Sequence, residues 1–584
     1  MDAALFPNHP YGTQTVLGTQ ESLKNPSITN VKNYHKTYYV PNNMAVCVSG
    51  DFEPDEMVAT IEKYFGDMQP NPNLPELQFE PEKPITTPVV KEVYGLEAAN
   101  VMLGWRLPGA NDKSTDISDI VGSILYNGQA GLIDLDLNQQ QKVLSAYGYA
   151  STQPDYSSFL VAGRPKTGQS LDEVRDLLLE EVAKLREGDF DEKLIEATIN
   201  NYKMQLMRSF EENDSRAILY VYSFISGADW ADEVARIDRM SKITKQDVVD
   251  WANKYLGPES YAIIYKREGK DPDEQKIAAP KITPIVTNRD SQSEFLSEIQ
   301  TSQVQPIEPV FVDYKKDMSQ FEAQPGIDVL YKKNETNDIF TLIYVFNTGT
   351  ENDPALNLAF NYLSYLGTDK MTAEEIASEM YDIACSFYMN AGANQSSIQI
   401  TGLSENMGKA MEIVEGLIAG AKPDEAILEN LKGDMLKSRA DAKLNQSRCF
   451  GALQRYLFYG GDFIRRTTLT DPALQALTSE QLLAKIGGLM GKQHEVLYYG
   501  PQKEAEVKSA LAKHHKVAAD LQPLEKKFST LLPTDANKVV LAQYDAKQLY
   551  YLQFSNRGEK FDVAADPEIT LYNEYFGGGM NSVV

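Results

Sequence analysis

Cysteine is nearly absent from this chain. Three residues in 584, Cys47, Cys385 and Cys449, lie far apart, form no CxxC and are too few for a disulfide framework. Long apolar runs are missing too. No stretch approaches ~18 apolar residues, which excludes a membrane-spanning helix. The opening MDAALFPNHPYG has neither a basic n-region nor an apolar h-region, so it is not a signal peptide. Basic residues are outnumbered, 56 Lys and Arg against 83 Asp and Glu, giving a net charge of −27. Such a surface repels phosphate backbones and argues against a nucleic-acid partner. The apolar fraction of 42% is that of an ordinary globular protein, and the length calls for several domains.

A repeat organises what is present. One unit occurs at residues 27–50, 242–265 and 476–500, recurring roughly every 220 residues. Each copy opens on an Ile-Thr or Leu-Thr pair at Thr29, Thr244 or Thr478, where threonine suits a helix N-cap. An amphipathic helix of about three turns follows. A short β-rich apolar run, such as Met44–Ser49 or Tyr261–Tyr265, then reads as a buried strand. A second element also repeats. Residues 170–213 read as a helix, a stop at Gly188 and a second helix opened by Asp191 and Glu192; residues 405–445 repeat this with Gly420, Asp424 and Glu425. A third pair, 101–135 and 551–584, reads as strand, polar turn, helix and Gly-rich bend.

The fold class expected is therefore α+β: tandem two-layer units, each a mostly antiparallel sheet with helices packed on it, in two halves joined by a linker. The expected divisions are 1–77, the end of a first domain; 78–270, a second α+β domain; 271–322, the linker; 323–505, a third domain; and 506–584, the start of a fourth. A chain that begins with the end of one unit and stops inside another is expected to be an internal fragment. Its uncovered apolar faces would favour aggregation or a partner chain.

FPNHPYG at Phe6–Gly12, then Leu17-Gly18, then YYVPNNMAVCVSGDF resemble the pitrilysin/insulinase family of zinc peptidases. The resemblance extends over essentially the whole chain, with 101–150 similar to the opening of the family's second domain and GGGMNSV to part of its fourth. It implies a zinc metalloendopeptidase that encloses peptide substrates between two bowl-like halves. The peptide would add as a strand to a sheet edge. The family's zinc is held by an HxxEH helix and a downstream Glu. None of the five histidines, His9, His35, His494, His514 and His515, forms that motif. The resemblance places both pieces ahead of Met1. Zinc is thus expected for the full-length protein and none for this chain, with no catalytic, cofactor-binding or metal residue here. The corresponding helix of the third domain, NLAFNYLSYLGT, sets Phe360, Leu363 and Ser364 at or near the ligand and base positions, and none is a good zinc ligand. A non-catalytic partner or structural subunit of the same family is the alternative. A cytoplasmic or periplasmic location is compatible with either.

Several residues invite a sharper reading. His9 is the near-cleft candidate, set against a plain turn histidine between Pro7 and Pro10. His514 and His515 read as a solvated helix face. Asp134 and Asp136 read as an exposed face of a strand rather than a catalytic pair. Gly577–Gly579 reads as a tight bend rather than an anion cradle. The run Tyr544–Phe554 reads as a core strand.

Overall fold

The computed structural model describes residues 1–24, 26–272, 291–306, 308–524, 529–546, 548–556, 558, 561–578, 582 and 583. Two sheets carry the architecture. The first joins β1 (Val89–Gly95), β2 (Asn100–Pro108), β3 (Ser145–Ser151), β4 (Tyr156–Arg164) and β5 (Tyr261–Glu268) in the order β1-β5-β2-β4-β3. The second joins β6 (Ser319–Gln324), β7 (Ile327–Lys333), β8 (Ile339–Phe346), β9 (Cys385–Ala391), β10 (Ser396–Leu403) and β11 (His494–Gly500) in the order β6-β7-β11-β8-β10-β9. Without β6 the two orders are the same. The pairs β1/β5 and β7/β11 are parallel and every other pair is antiparallel. The repeat read from the sequence is therefore a repeat of topology, and the α+β class holds.

Local chemistry explains the elements. In β8, Phe340, Leu342, Tyr344 and Phe346 alternate into the core, the period of two that a half-buried strand requires. Capping boxes open the helices Leu171–Glu187, Lys245–Tyr255, Ala373–Asp382 and Ser479–Met490, with Thr244 and Thr478 in the expected roles. Gly188 ends the first of these in a left-handed conformation, φ 75°. In the five-stranded unit Trp105, Ile120, Phe159, Leu178 and Trp251 meet in one core. The Trp105 indole donates to the Gly257 carbonyl at 3.0 Å, so burial leaves it no unpaired N–H.

Several expectations fail, each for a traceable reason. In the first copy of the repeat Ser27, not Thr29, caps the helix Ile28–Tyr38. Met44–Ser49 is not a strand: among the described residues no neighbouring strand takes its backbone, and Met44, Val46 and Val48 are exposed. Tyr544–Phe554 is not a core strand either. Its described residues lie along the helix Gln446–Thr467 through Phe450–Tyr550 and Phe458–Phe554 ring contacts, leaving Leu549 and Tyr551 exposed. The final segment keeps its helix, Asp566–Gly577, and among the described residues no strand precedes it there. Gly577 belongs to that helix, and Gly579 of the expected bend lies outside the described residues. Residues 273–290 of the linker also lie outside them, while β6 begins within the stretch read as linker.

Candidate functional site: an open sheet edge in the cleft between the two units

β3 ends the five-stranded sheet, hydrogen-bonded only to β4. The Ala146 N–H and carbonyl point away from β4 and are taken by the Asn138 side chain, both at 2.8 Å. By the period of two, Gly148 and Ala150 also turn their N–H and C=O outward, and among the described residues no strand meets them. The side chains divide between faces. Ala146 and Gly148 point into the helix layer, where a Cβ on Gly148 would lie 3.0 Å from Val161 Cγ1. Tyr147 and Tyr149 stand on the opposite, exposed face.

Beside this edge is a cavity of about 430 Å³, lined by Tyr126, Gln141, Tyr147 and Tyr149 from one unit and Tyr365 and Asp434 from the other. Contacts across the cleft join its two walls. Arg164 meets Asp441 at 2.7 Å and Lys166 meets Asp434 at 3.1 Å. Burial raises the Asp434 carboxyl and the Lys166 cation opposes that rise. Gln129 donates to the carbonyls of Ala377 and Cys385, both at 3.2 Å. Gln141 donates to the Ile427 carbonyl and accepts from Asn430.

The chain leading into the edge is unusual. Asp134–Gln139 is a π-helix, and Gln141 has φ 53°, a left-handed conformation that a non-glycine residue holds only where its surroundings impose it. Asp134 sits under this turn, 7% exposed, accepting the backbone N–H groups of Asn127, Gly128 and Gly131 at 2.9–3.0 Å. Burial raises its carboxyl despite these donors. Asp136 pairs with Lys184 at 2.7 Å. The strand reading of Asp134 and Asp136 is thus overturned. The apolar neighbours Leu132, Ile133, Leu135 and Leu137 follow a helical turn, and the two carboxylates do separate structural jobs.

His9 is fully buried. It caps the turn Pro10–Thr13 by accepting the Tyr11 N–H at its Nδ1, with Tyr11, Phe79 and Tyr156 around the ring. Among the described residues its Nε2 has no hydrogen-bond partner, and it lies 3.6 Å from Asp155. It does not line the cavity. His35 is exposed on its helix, stacked on Tyr39. His515 is buried and bonded to His494 and Glu415, so the solvated-face reading fails for it: the helix ends at His514 and the next residue turns inward. Phe360 and Leu363 are buried apolar residues of the helix Leu356–Leu363, and Ser364 ends it with its hydroxyl on the Asn361 carbonyl. Burial pushes the Cys385 thiol up to about 12, which makes it unreactive. Among the described residues no three His, Cys, Asp or Glu side chains converge to hold a metal. Nor is any described helix long and apolar enough to cross a membrane.

The tyrosine wall was not anticipated. Its signal is the alternation Ala146-Tyr147-Gly148-Tyr149-Ala150, with large residues on one face and small ones on the other.

Comparison with known proteins gives a consistent answer. Residues 27–202 match the family model described as the peptidase M16 inactive domain. The zinc protease PqqE of Helicobacter pylori is 23% identical over 225 residues, covering 36% of this chain and 48% of the relative. The uncharacterized zinc protease YmxG of Bacillus subtilis is 23% identical over 218 residues, covering 37% and 52%. The chain therefore spans about half the length of these curated relatives. The crystal structure of pitrilysin superposes with a TM-score of 0.51 at 14% identity, over 89% of this chain and 58% of that one, a likeness of fold. The matched segment and these relatives, with the repeated sheet, make the chain similar to the pitrilysin/insulinase family of zinc peptidases.

Proposed function

We propose that this chain is the peptide-holding part of a zinc metalloendopeptidase that encloses peptides, with the zinc and its HxxEH helix supplied by sequence outside it. The observation that carries this reading is the outward-facing backbone of Gly148 and Ala150 beside the tyrosine-lined cavity. An extended peptide laid along β3 would exchange main-chain hydrogen bonds with those two residues, which makes few demands on sequence. Tyr147 and Tyr149 offer rigid amphipathic surface to its side chains. His9 holds the turn Pro10–Thr13 rather than the peptide. A cytoplasmic or periplasmic setting and peptide substrates go with this reading.

The test is binding of a fluorescent extended peptide to the purified chain, against the same peptide N-methylated at alternate residues. Binding that N-methylation abolishes, without cleavage, is the expected result. Equal binding of both peptides, or zinc-dependent turnover by this chain alone, overturns it. A second reading, a non-catalytic partner or structural subunit, is favoured by the matched model being the inactive domain. A tight complex with an HxxEH-bearing chain, insensitive to peptide, would support that reading instead.

A further inference from the structure

Three elements of the six-stranded unit bring His494, His515 and Glu415 into one buried row. His494 opens β11, His515 follows the helix Glu504–His514, and Glu415 lies on the helix Met407–Gly420. His494 Nδ1 is 2.8 Å from the Lys492 carbonyl oxygen, its Nε2 is 2.8 Å from His515 Nε2, and His515 Nδ1 is 2.6 Å from Glu415 Oε1. Both rings are about 95% buried.

The proton positions follow from what each partner can do. A carbonyl only accepts, so His494 donates from Nδ1 and its Nε2 keeps a lone pair. That lone pair accepts the N–H of His515 Nε2. Between His515 Nδ1 and Glu415 lies one further proton, borne by the ring or by the carboxyl. Every ring nitrogen is then satisfied. One more proton, on His494 Nε2, would set N–H against N–H at 2.8 Å.

We infer that this row is an acid-released latch: proton uptake by His494 breaks its bond to His515 and frees the helix Glu504–His514, with the segment after it, from the sheet. The surroundings favour a sharp response. Tyr344 of β8 lies tilted against His515 with ring centroids 4.2 Å apart, and Phe346 lies tilted against His494 at 4.6 Å. The charged and titratable groups around the row are Glu412 and Glu415 on one helix, Lys513, His514 and Lys516 at the end of the other, Lys492 and Glu495 beside His494, and the Tyr344 hydroxyl on β8. Burial, with repulsion from His515, pulls His494 from 6.5 down to about 4, against the Lys492 carbonyl and Glu415. The released form binds this proton near 6.5 and the latched form near 4, so attachment is full above 6.5 and weakens as pH falls between the two.

Hydrogen exchange of the Glu504–His514 amides tests this, corrected for the intrinsic rate, with the helix Leu171–Glu187 as internal reference. In the intact chain, protection of Glu504–His514 should fall about 20-fold from pH 7 to pH 5 while the reference helix holds. In His494→Gln, whose amide can accept from His515 and donate to Lys492, the fall should shrink to about twofold. A change under about threefold in the unaltered chain, or a variant that follows it, overturns the latch. If His494→Gln does not fold, ring-nitrogen NMR of the unaltered protein decides. His494 should carry its proton on Nδ1 and stay neutral down to pH 5, and titration at its ordinary value would refute the proposal.

Discussion

Tyr381, on the helix Ala373–Asp382 of the six-stranded unit, reaches Thr198 in the core of the five-stranded unit, hydroxyl to Oγ1 at 3.3 Å. Its carbonyl also accepts from Asn201 Nδ2 at 2.8 Å. The side chain is 5% exposed, so one unit completes the core of the other. Tyr381→Ala should cost about 3–5 kcal/mol, the usual cost of deleting a large buried ring. Tyr381→Phe keeps the packing and should cost about 1 kcal/mol. Calorimetry should show the Ala variant unfolding in two separated transitions where the unaltered chain shows coupled ones. A single transition shifted as a whole would mean the two units do not lean on each other here.

The β3 edge makes a separate prediction. Ala150 turns its N–H away from β4, so Ala150→Pro removes an outward donor without taking a bond from the sheet. Peptide affinity should drop about tenfold, the loss of one main-chain hydrogen bond to the peptide, with little change in melting temperature. Leu160→Pro, in the middle of β4, is the contrasting control and should unfold the sheet. Unchanged peptide affinity in Ala150→Pro would remove β3 as the docking edge.

How much of this was legible depends on how locally it is specified. Thr244 and Thr478 announce their helices within four residues, because a capping box closes over one turn. Gly188 and Asp424 mark the helix stop and restart in the same way. Burial is a property of the neighbours instead. Met44–Ser49 and Tyr261–Tyr265 look alike as sequence, but only the second has β1 and β2 on either side. His515 follows the same logic: Lys513 and Lys516 suggest solvent, while Glu415, a hundred residues away in sequence, draws the ring inward. The cleft was least legible, since its walls come from Tyr147 and Tyr365 of different units.

Asp134 links the turn to the cleft. Asp134→Ala would leave three backbone N–H groups without an acceptor and should cost about 2–4 kcal/mol. Asp134→Asn keeps one acceptor oxygen and should cost less. Because the turn carries Gln129 to the Ala377 and Cys385 carbonyls, the Ala variant should also lose protection at those contacts. Thermal unfolding with hydrogen exchange at 127–131 measures both effects. Loss of stability with unchanged exchange at that turn would show that Asp134 acts elsewhere.

Glu181 gives the molecule a pH dependence opposite to that of His494. Its carboxyl is 1% exposed, and burial, reinforced by Asp136, lifts it from 4.5 to about 7 against the pull of Lys184 at 2.9 Å. The folded chain therefore binds a proton near 7 and the unfolded chain near 4.5. Between these values the folded state holds more protons, so this contribution is full below 4.5 and is lost as pH rises toward 7. Its size is at most about 3 kcal/mol and is reduced by the shared Lys184. His494 loses stability in the other direction over an overlapping range, so the total profile of the protein should be flatter than either part. Glu181→Gln separates them. Relative to the unaltered chain, the variant should gain stability between pH 5 and pH 8 in denaturant titrations followed by Trp105 and Trp251 fluorescence. Lys184→Met should act the other way: it leaves Glu181 and Asp136 without their cation, and the cost should grow with pH as Glu181 is forced to ionise. A stability difference that does not vary with pH in either variant would show that Glu181 keeps its charge throughout.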